Sequence, residues 1–382
     1  MKFSEIIGHD SLKDKMRQSV RNGRIPHTQL FTGAAGYGAL PLALAYAQYI
    51  NCENRGNSEA CGVCTSCLQF DELSHPDLHF VMPVNKQGKK SGENILSRDF
   101  LEQWRESIKA SGAYLEPEEW FKALELGKTL KGAISANEAD DIIKQLSLKS
   151  YAGGYKILIM WLPEMMNETA ANKLLKILEE PWEKTIFILV SQFPEQLLPT
   201  IISRTQVTEV LRIEPAALEE YIKAKTGESD PKKLHSMSHL ADGDLRELQR
   251  LMSGDGAEQR SEHFAFFVTL MRSSYNNKHL ELITWAEQVA QLSRTEQIGL
   301  LRYSIDMLRE AYIRHAGAES LCYTWGDEAA FSRKFAPFIN NNNIEFLVEE
   351  TERAIGQLSQ NANATILFTH YALTVSKQIN KL

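Results

Sequence analysis

The chain has 382 residues, a length that predicts two or three domains, and 43% of its residues are hydrophobic, which is enough for ordinary cores. Its formal net charge of −7 argues against a protein that binds DNA through a positive electrostatic potential of the whole molecule, although local basic patches remain compatible with this charge. No run approaches the roughly 18 apolar residues of a membrane span, and the N-terminal MKFSEIIGHD lacks the apolar core of a signal peptide. We therefore expect a cytoplasmic protein without a membrane partner.

A glycine-rich loop follows the first predicted strand and precedes a predicted helix. Residues 33–40 read GAAGYGAL, the frame of the phosphate-binding loop GxxxxGK[ST]. The glycines that would let backbone N–H groups wrap a phosphate are Gly33, Gly36 and Gly38. However, Ala39 stands where a lysine would reach the phosphates, and Leu40 stands where a hydroxyl would hold Mg²⁺. We predict a degenerate loop that keeps its shape without turning over nucleotide. The alternative is an ordinary glycine-rich turn.

Four of the five cysteines lie close together in the sequence. They follow the spacing C-x₈-C-x₂-C-x₂-C, as Cys52, Cys61, Cys64 and Cys67. In a reducing compartment, thiolates at this density are typical of a closed tetrahedral site for structural zinc, with no position left for water. Free buried thiols and a redox pair are the alternatives. Cys322 is distant in sequence, and we expect it to be an ordinary buried residue.

An inserted segment is predicted from about residue 85 to residue 130. It begins with the polar stretch NKQGKKSGEN, whose three lysines favour a solvated loop over a nucleic-acid contact; they are Lys86, Lys89 and Lys90. Apolar residues at helical spacing follow on both sides of Pro117, so we predict a helical hairpin. Ser135 and Glu138 then form a predicted capping box for a helix that reaches Leu148.

A strand–helix–strand unit is predicted between residues 155 and 206. The apolar runs Lys156–Met160 and Thr185–Val190 are typical of buried parallel strands, and Pro181 ends the helix between them. Such a unit favours a parallel sheet with a right-handed crossover. Beyond it, helical patterns predict a small helical region at 214–255 and a helical bundle from about 260 to the end.

Four stretches together carry a family resemblance. They are FSEIIGHD (3–10), RIPHTQLFTG (24–33), AANKLLKILEEP (170–181) and LLPTIISRTQ (197–206). In order and separation they resemble the clamp-loader ATPases of the AAA+ type, and among these the delta-prime family of bacterial DNA polymerase III. The resemblance becomes thin after residue 260. It implies an AAA+ type α/β domain over 1–212, with the zinc module at 52–67, a helical lid at 213–258 and a helical collar for oligomerisation at 259–382.

The resemblance also implies roles for particular residues. Aligned from AANKLLKILEEP, Trp161 and Leu162 occupy the positions of the acidic pair that coordinates Mg²⁺ in active relatives. Arg204 matches an arginine that acts in trans on phosphates bound by a neighbouring subunit, and a local salt bridge is its alternative role. Arg246 stands where active relatives place a second phosphate-sensing arginine, and we expect it to be structural or vestigial.

The resemblance therefore predicts a clamp-loader subunit without intrinsic ATPase activity and without a bound nucleotide. Such a subunit would act as a stator in a heteropentamer with delta and gamma/tau subunits, and the assembly would load the sliding clamp onto primed DNA. Two other hypotheses remain open. One is an ATP-binding clamp-loader ATPase of the gamma/tau kind. The other is a stand-alone zinc protein that binds nucleic acid, against which the charge of −7 argues.

Overall fold

The computed structural model describes residues 1–85, 95–125 and 132–380. The described chain forms two compact units: Met1–Ala224 with Ala241–Glu247, and Lys225–Leu240 with Leu248–Leu382. The division into three domains at residues 212 and 258 remains a prediction. The lysine cluster of the inserted segment lies outside the described residues. None of the described helices is long and apolar enough to cross a membrane.

The first unit is built on a five-stranded parallel sheet. Its strands are β1 (Thr28–Thr32), β2 (Leu78–Val81), β3 (Lys156–Trp161), β4 (Thr185–Ser191) and β5 (Gln206–Glu209), in the spatial order β2-β3-β4-β1-β5. The two apolar runs of the predicted strand–helix–strand unit pair directly, with β3 beside β4. Every residue of β1, β3 and β4 is buried, as the near-continuous apolar sequence requires of strands covered on both faces. The predicted strands and the AAA+ type α/β fold are confirmed.

Helices cover both faces of this sheet. One face packs against α1 (Asp10–Arg21), α2 (Ala39–Asn51) and α3 (Thr65–Asp71) in one large apolar cluster. The opposite face packs against α6 (Ala136–Ser147), α7 (Glu168–Glu179) and α8 (Pro199–Ile202) in a second cluster. The inserted segment contributes α4 (Leu101–Ser111) and α5 (Pro117–Ala123), and its apolar side chains join the first cluster. The predicted helical hairpin is therefore confirmed over residues 95–125.

The predicted capping box of α6 is only half formed. Ser135 Oγ accepts a hydrogen bond from the backbone N–H of Glu138 at 3.4 Å, as expected. The Glu138 carboxylate, however, accepts from the N–H of Ser97 at 2.8 Å instead of reaching back to Ser135. This part of the prediction was wrong because a partner 41 residues away in sequence replaces the local one. Burial raises the pKa of Glu138 to about 7.

Helices follow the sheet to the end of the described chain. The first is α9 (Pro215–Thr226), followed by α10 (Pro231–Leu240), α11 (Leu245–Met252), α12 (Gly254–Tyr275), α13 (His279–Gln291), α14 (Arg294–His315), α15 (Gly326–Phe335), α16 (Ile344–Ser359) and α17 (Ala364–Ile379). Helices α12 to α17 surround a core of their own, with Phe267, Trp285 and Phe368 among its buried residues. The helical bundle predicted from the apolar stripes is confirmed.

Candidate functional site: the glycine loop, Arg204 and the four-cysteine centre

The glycine loop joins β1 directly to α2. Gly33 follows β1, and its N–H donates to Ser191 O on the neighbouring strand at 3.1 Å. A short 3₁₀ turn over Ala35–Tyr37 leads to Gly38, whose φ of +95° lies in the left-handed region, and α2 begins at once. His9 Nε2 lies 2.7 Å from Tyr37 O, so the opening motif FSEIIGHD contacts the loop. The predicted succession of strand, glycine loop and helix is therefore present.

The two positions that would carry phosphate chemistry face the apolar interior. Ala39 is 2% exposed and Leu40 is 4% exposed, and both belong to the cluster that packs α2 against the sheet. A lysine needs a solvated or ion-paired head group, because an unpaired buried ammonium is costly. Neither methyl nor isobutyl side chain can hold a phosphate or a Mg²⁺ ion.

The end of β3 is also apolar. Trp161 is 1% exposed and lies 5.3 Å, between ring centroids, from Trp104 of the inserted hairpin. Leu162 is buried, with a φ of +56°. The Oε1 atom of Glu164 accepts from the N–H groups of Gln192 at 2.9 Å and of Phe193 at 3.2 Å. Glu164 therefore fixes the connection after β4.

Arg204 lies between α8 and β5 with 31% of its side chain exposed. Its Nε donates to Glu179 Oε2 at 2.7 Å, and its Nη1 donates to Thr200 O at 3.1 Å. Glu179 ends α7 and is itself 58% exposed. In the single chain, Arg204 thus has the local salt bridge that was the alternative role. The pair is open to water, so a competing anion can reach the guanidinium.

The four clustered cysteines come together in space. Their sulfur atoms all lie within 4.8 Å of one another, and the Sγ atoms of Cys61 and Cys67 are 3.9 Å apart. A tetrahedral Zn²⁺ with Zn–S bonds of about 2.3 Å separates its sulfurs by about 3.8 Å. The donor set therefore fits a closed zinc centre, with Cys52 and Cys64 completing it. None of the five cysteines forms a disulfide, and Cys322 is not part of the cluster.

Local backbone geometry prepares these sulfurs for a metal. Backbone N–H groups donate to Sγ of Cys52 at 3.2 Å, of Cys61 at 3.3 Å and of Cys64 at 3.4 Å. Gly62, with φ +74°, makes the tight turn that the two C-x₂-C steps need. Hydrogen bonds from Val63 and Cys64 lower the pKa of Cys61 to about 6, whereas burial raises the pKa of Cys67. A metal that binds here displaces the protons that remain.

The cysteine module is also tied to the start of the chain. The carboxylate of Glu59 accepts from the N–H of Phe3 at 3.0 Å and from the N–H of Ser4 at 2.8 Å. Phe3 is fully buried and packs on Tyr49, with ring centroids 5.7 Å apart. Order in the module is therefore coupled to the packing of α2.

Sequence reasoning missed one set of residues around the glycine loop. Tyr114 and Glu119 of the inserted segment both contact Arg246, which lies 132 and 127 residues further along the chain. Asp244 packs against Gly36. No local spacing signals these contacts, because each joins segments that are distant in sequence. Of these four side chains the sequence singled out Arg246 alone, and it did not identify the residues that Arg246 contacts.

Comparisons with known proteins agree with this picture. A family model described as "DNA polymerase III, delta subunit" matches residues 8–214. DNA polymerase III subunit delta' of Bacillus subtilis is 29% identical over 202 residues, covering 53% of this chain and 47% of that protein. The delta' subunit of Pseudomonas aeruginosa is 28% identical over 236 residues, covering 62% of this chain and 58% of that one. The chain thus spans about half the length of these curated relatives.

Two further similarities are more remote. DNA polymerase III subunit tau of Salmonella typhimurium is 23% identical over 277 residues, covering 70% of this chain and 36% of that protein. Among solved structures, a gamma subunit-related protein of Thermotoga maritima is 14% identical with a TM-score of 0.38 and covers 96% of this chain and 99% of that chain.

The sheet order and the glycine loop after β1 define an AAA+ type protein. Its glycine loop carries alanine and leucine in place of the lysine and hydroxyl residues of the phosphate-binding motif. More specifically, the chain belongs to the family described as DNA polymerase III, delta subunit, whose model covers more than half of it.

Proposed function

We propose that the chain is a delta-prime-like clamp-loader subunit of DNA polymerase III that binds and hydrolyses no nucleotide of its own. The observation that carries this proposal is the apolar burial of three positions that nucleotide chemistry needs. They are Ala39, Leu40 and Trp161, each no more than 4% exposed. Catalysis of phosphoryl transfer consists mainly of positioning and charge stabilisation, so a site without lysine, hydroxyl and carboxylate lacks its main components.

Within such an assembly, Arg204 would act in trans. It would leave Glu179 and reach the phosphates bound by the neighbouring ATPase subunit. The exposed pair with Glu179 contributes only about 0–1 kcal/mol, whereas charge-assisted contacts of a guanidinium with phosphate oxygens are stronger and bidentate. The exchange of partner is therefore favourable, and Glu179 would hold Arg204 in place until the neighbour binds.

The proposed partners follow from the family and from the proposed lack of nucleotide chemistry in this chain. They are delta and gamma/tau subunits in a heteropentamer, with the sliding clamp and primed DNA engaged by the whole assembly in the cytoplasm. A subunit that does not change its own nucleotide state would serve as the stator. The four cysteines would hold a structural zinc ion, which would lock the module between Cys52 and Cys67 onto α2 and α3.

The test is ATP hydrolysis by the loader reconstituted with clamp and primed DNA. Removal of an arginine finger typically costs a factor of roughly 10³ or more in turnover at the site it serves. We expect Arg204→Ala to reduce the assembly's hydrolysis in a stimulated assay while assembly, checked by gel filtration, survives. Arg204→Lys should rescue poorly, because lysine lacks the planar fork.

Lys144→Ala is the matched control, since it removes one exposed positive charge from α6 of the same unit. It should leave hydrolysis unchanged. If Arg204→Ala behaves like Lys144→Ala in an intact complex, Arg204 is a structural residue and the trans role is wrong.

A second candidate function is an ATP-binding subunit of the gamma/tau kind, because the relative named tau aligns with 70% of this chain. The isolated chain distinguishes the two. Hydrolysis or tight binding of MgATP by the isolated chain would favour the second candidate. A chain that is inert alone and required in the assembly would favour the first.

A further inference from the structure

The inserted hairpin lies directly over the edge of the sheet that carries the glycine loop. Trp104 on α4 is fully buried, with ring centroids 5.3 Å from Trp161 at the end of β3 and 5.3 Å from Trp120 on α5. Trp120 Nε1 donates to Pro83 O at 2.8 Å, which fixes the second helix. Trp161, which occupies the position of a Mg²⁺-binding acid in active relatives, is thus the residue on which the hairpin packs.

The turn between the two hairpin helices reaches the glycine loop itself. Gly112 and Ala113, with φ of +59° and +68°, end α4 and direct Tyr114 inward, where it is 6% exposed. A Cβ built on Gly38 would lie 3.3 Å from the ring of Tyr114. Burial raises the pKa of Tyr114 to about 12, so the phenol stays neutral over the loop.

A carboxylate covers the same loop two residues earlier. A Cβ built on Gly36 would overlap Asp244 Oδ1, so a larger residue there would have to displace this carboxylate. The same Oδ1 accepts from the N–H groups of Arg246 at 2.8 Å and Glu247 at 3.1 Å, and so caps the start of α11. Segment Ala241–Glu247 is thereby held against the glycine loop within the first compact unit.

Arg246 completes the contact between this segment and the hairpin. Its guanidinium donates to the backbone carbonyl of Tyr114 and to the carboxylate of Glu119, and its Nε lies 3.7 Å from Glu116 Oε1. The side chain is 25% exposed, so most of it is enclosed by these partners. Two carboxylates and a carbonyl are the kind of oxygen-rich partner that a guanidinium otherwise finds in phosphate.

We propose that the inserted hairpin is a built-in substitute for a nucleotide: it covers the glycine loop with Tyr114 and holds Arg246 with Glu116 and Glu119. The segment Ala241–Glu247 is therefore fixed on the sheet domain without any ligand. Because the oxygens that hold Arg246 are part of the chain, the contact does not depend on nucleotide concentration and does not change through a hydrolysis cycle. Glu116, Glu119 and Arg246 are positioning residues. This inference rests on the proposed function in taking the glycine loop to hold no nucleotide, and it adds roles for Tyr114, Glu116, Glu119 and Arg246.

The test is hydrogen exchange on the isolated full chain, read on the peptide covering residues 241–252. The variant is Glu116→Gln with Glu119→Gln. Glutamine retains the cap at the third position of α5, where Glu119 accepts from the N–H of Glu116 at 3.3 Å. We expect exchange in this peptide to accelerate by about threefold to tenfold, the range for a partly buried, charge-assisted pair. Peptides from the cysteine module should be unaffected.

Glu118→Gln is the matched control on the same helix. The Glu118 side chain is exposed and makes no hydrogen bond or ion pair among the described residues. The exchange profile of the Glu118→Gln variant should therefore equal that of the unaltered chain. The double Gln variant should also add nothing in an Arg246→Met background, since the carboxylates are expected to act through Arg246.

Unchanged exchange in the double Gln variant would overturn the inference. It would also be overturned if the double Gln substitution accelerated exchange in the Arg246→Met background as much as in the unaltered chain. Protection of residues 33–40 by MgATP in the unaltered chain would overturn it too, because the loop would then be open to a ligand. The first two outcomes leave the proposed function standing, whereas protection by MgATP would contradict both proposals. None of them depends on Arg204, since no other subunit is present in this assay.

Discussion

Replacement of Trp104 by alanine should strongly destabilise the first compact unit. Trp104 is fully buried and contacts Trp120, Trp161 and Phe80, with ring centroids 5.3, 5.3 and 6.0 Å away. A buried Trp→Ala change costs about 3–5 kcal/mol, and each aromatic pair adds about 0.5–1.5 kcal/mol. Its Nε1 has no hydrogen-bond partner among the described residues. Removing this unsatisfied buried donor therefore offsets about 1 kcal/mol or more of the loss in the free energy of unfolding. We expect a net loss of about 4 kcal/mol, near the lower end of this sum, because the cost of truncating the tryptophan already includes part of its aromatic contacts.

The assay should follow the first unit alone, because two compact units need not unfold together. Native-state hydrogen exchange on the amides of β3 and α2 meets this need. A loss of about 4 kcal/mol accelerates globally exchanging amides by roughly 10³. Trp182→Ala is the control, as Trp182 is only partly buried on the opposite face of the sheet, and we expect about 1 kcal/mol. Equal effects of the two variants would refute the idea that the hairpin is an integral part of the core.

Two further predictions concern the metal centre and a buried acid. The purified chain should carry one zinc per molecule by atomic absorption; Cys64→Ser should lose zinc and several kcal/mol of stability, while Cys322→Ser, outside the cluster, should keep both. Glu138, whose pKa is raised by burial from 4.5 to about 7, binds its proton more tightly in the folded state, so its contribution to stability is complete below pH 4.5 and is lost as the pH rises through 7. Glu138→Gln should therefore stabilise the chain by about 1–3 kcal/mol at pH 8 and little at pH 4, measured by urea unfolding.

Each of these has a clear contrary result. A chain produced with ample zinc that binds none, or a Cys64→Ser variant with unchanged zinc content, would contradict the metal prediction. For Glu138, a stability difference between variant and unaltered chain that is the same at both pH values would show that the carboxyl has an ordinary pKa.

Much of the first unit could be predicted from local pattern. The strands β3 and β4 are continuous apolar runs, and the structure extends each by one residue beyond its predicted end. The four cysteines were recognisable because metal ligands must be close in space, and close spacing in sequence already brings them near each other. The glycine loop was readable because its backbone needs glycine at position 38, where φ is positive.

Contacts between distant segments were not predictable in the same way. The Glu138 carboxylate accepts from the N–H of Ser97 and not from that of Ser135, since the inserted segment brings the Ser97 N–H within 2.8 Å of it. Arg246 was expected to be vestigial or structural, and the particular carboxylates that hold it belong to a hairpin whose role the sequence did not reveal. Such pairings depend on how the insertion docks, and no spacing rule encodes that.

The sequence by itself determined which side chains stand in the glycine loop and which metal ligands are available, because side-chain identity decides whether a lysine, a hydroxyl or a thiolate exists at a position. Ala39 and Leu40 exclude the usual phosphate and Mg²⁺ contacts in any conformation, and four clustered cysteines provide a sulfur donor set. Only the tertiary structure decided what covers the glycine loop. Packing of Trp104 on Trp161 places Tyr114 over Gly38 and two carboxylates beside Arg246, and this arrangement exists only when segments that are distant in sequence are folded together.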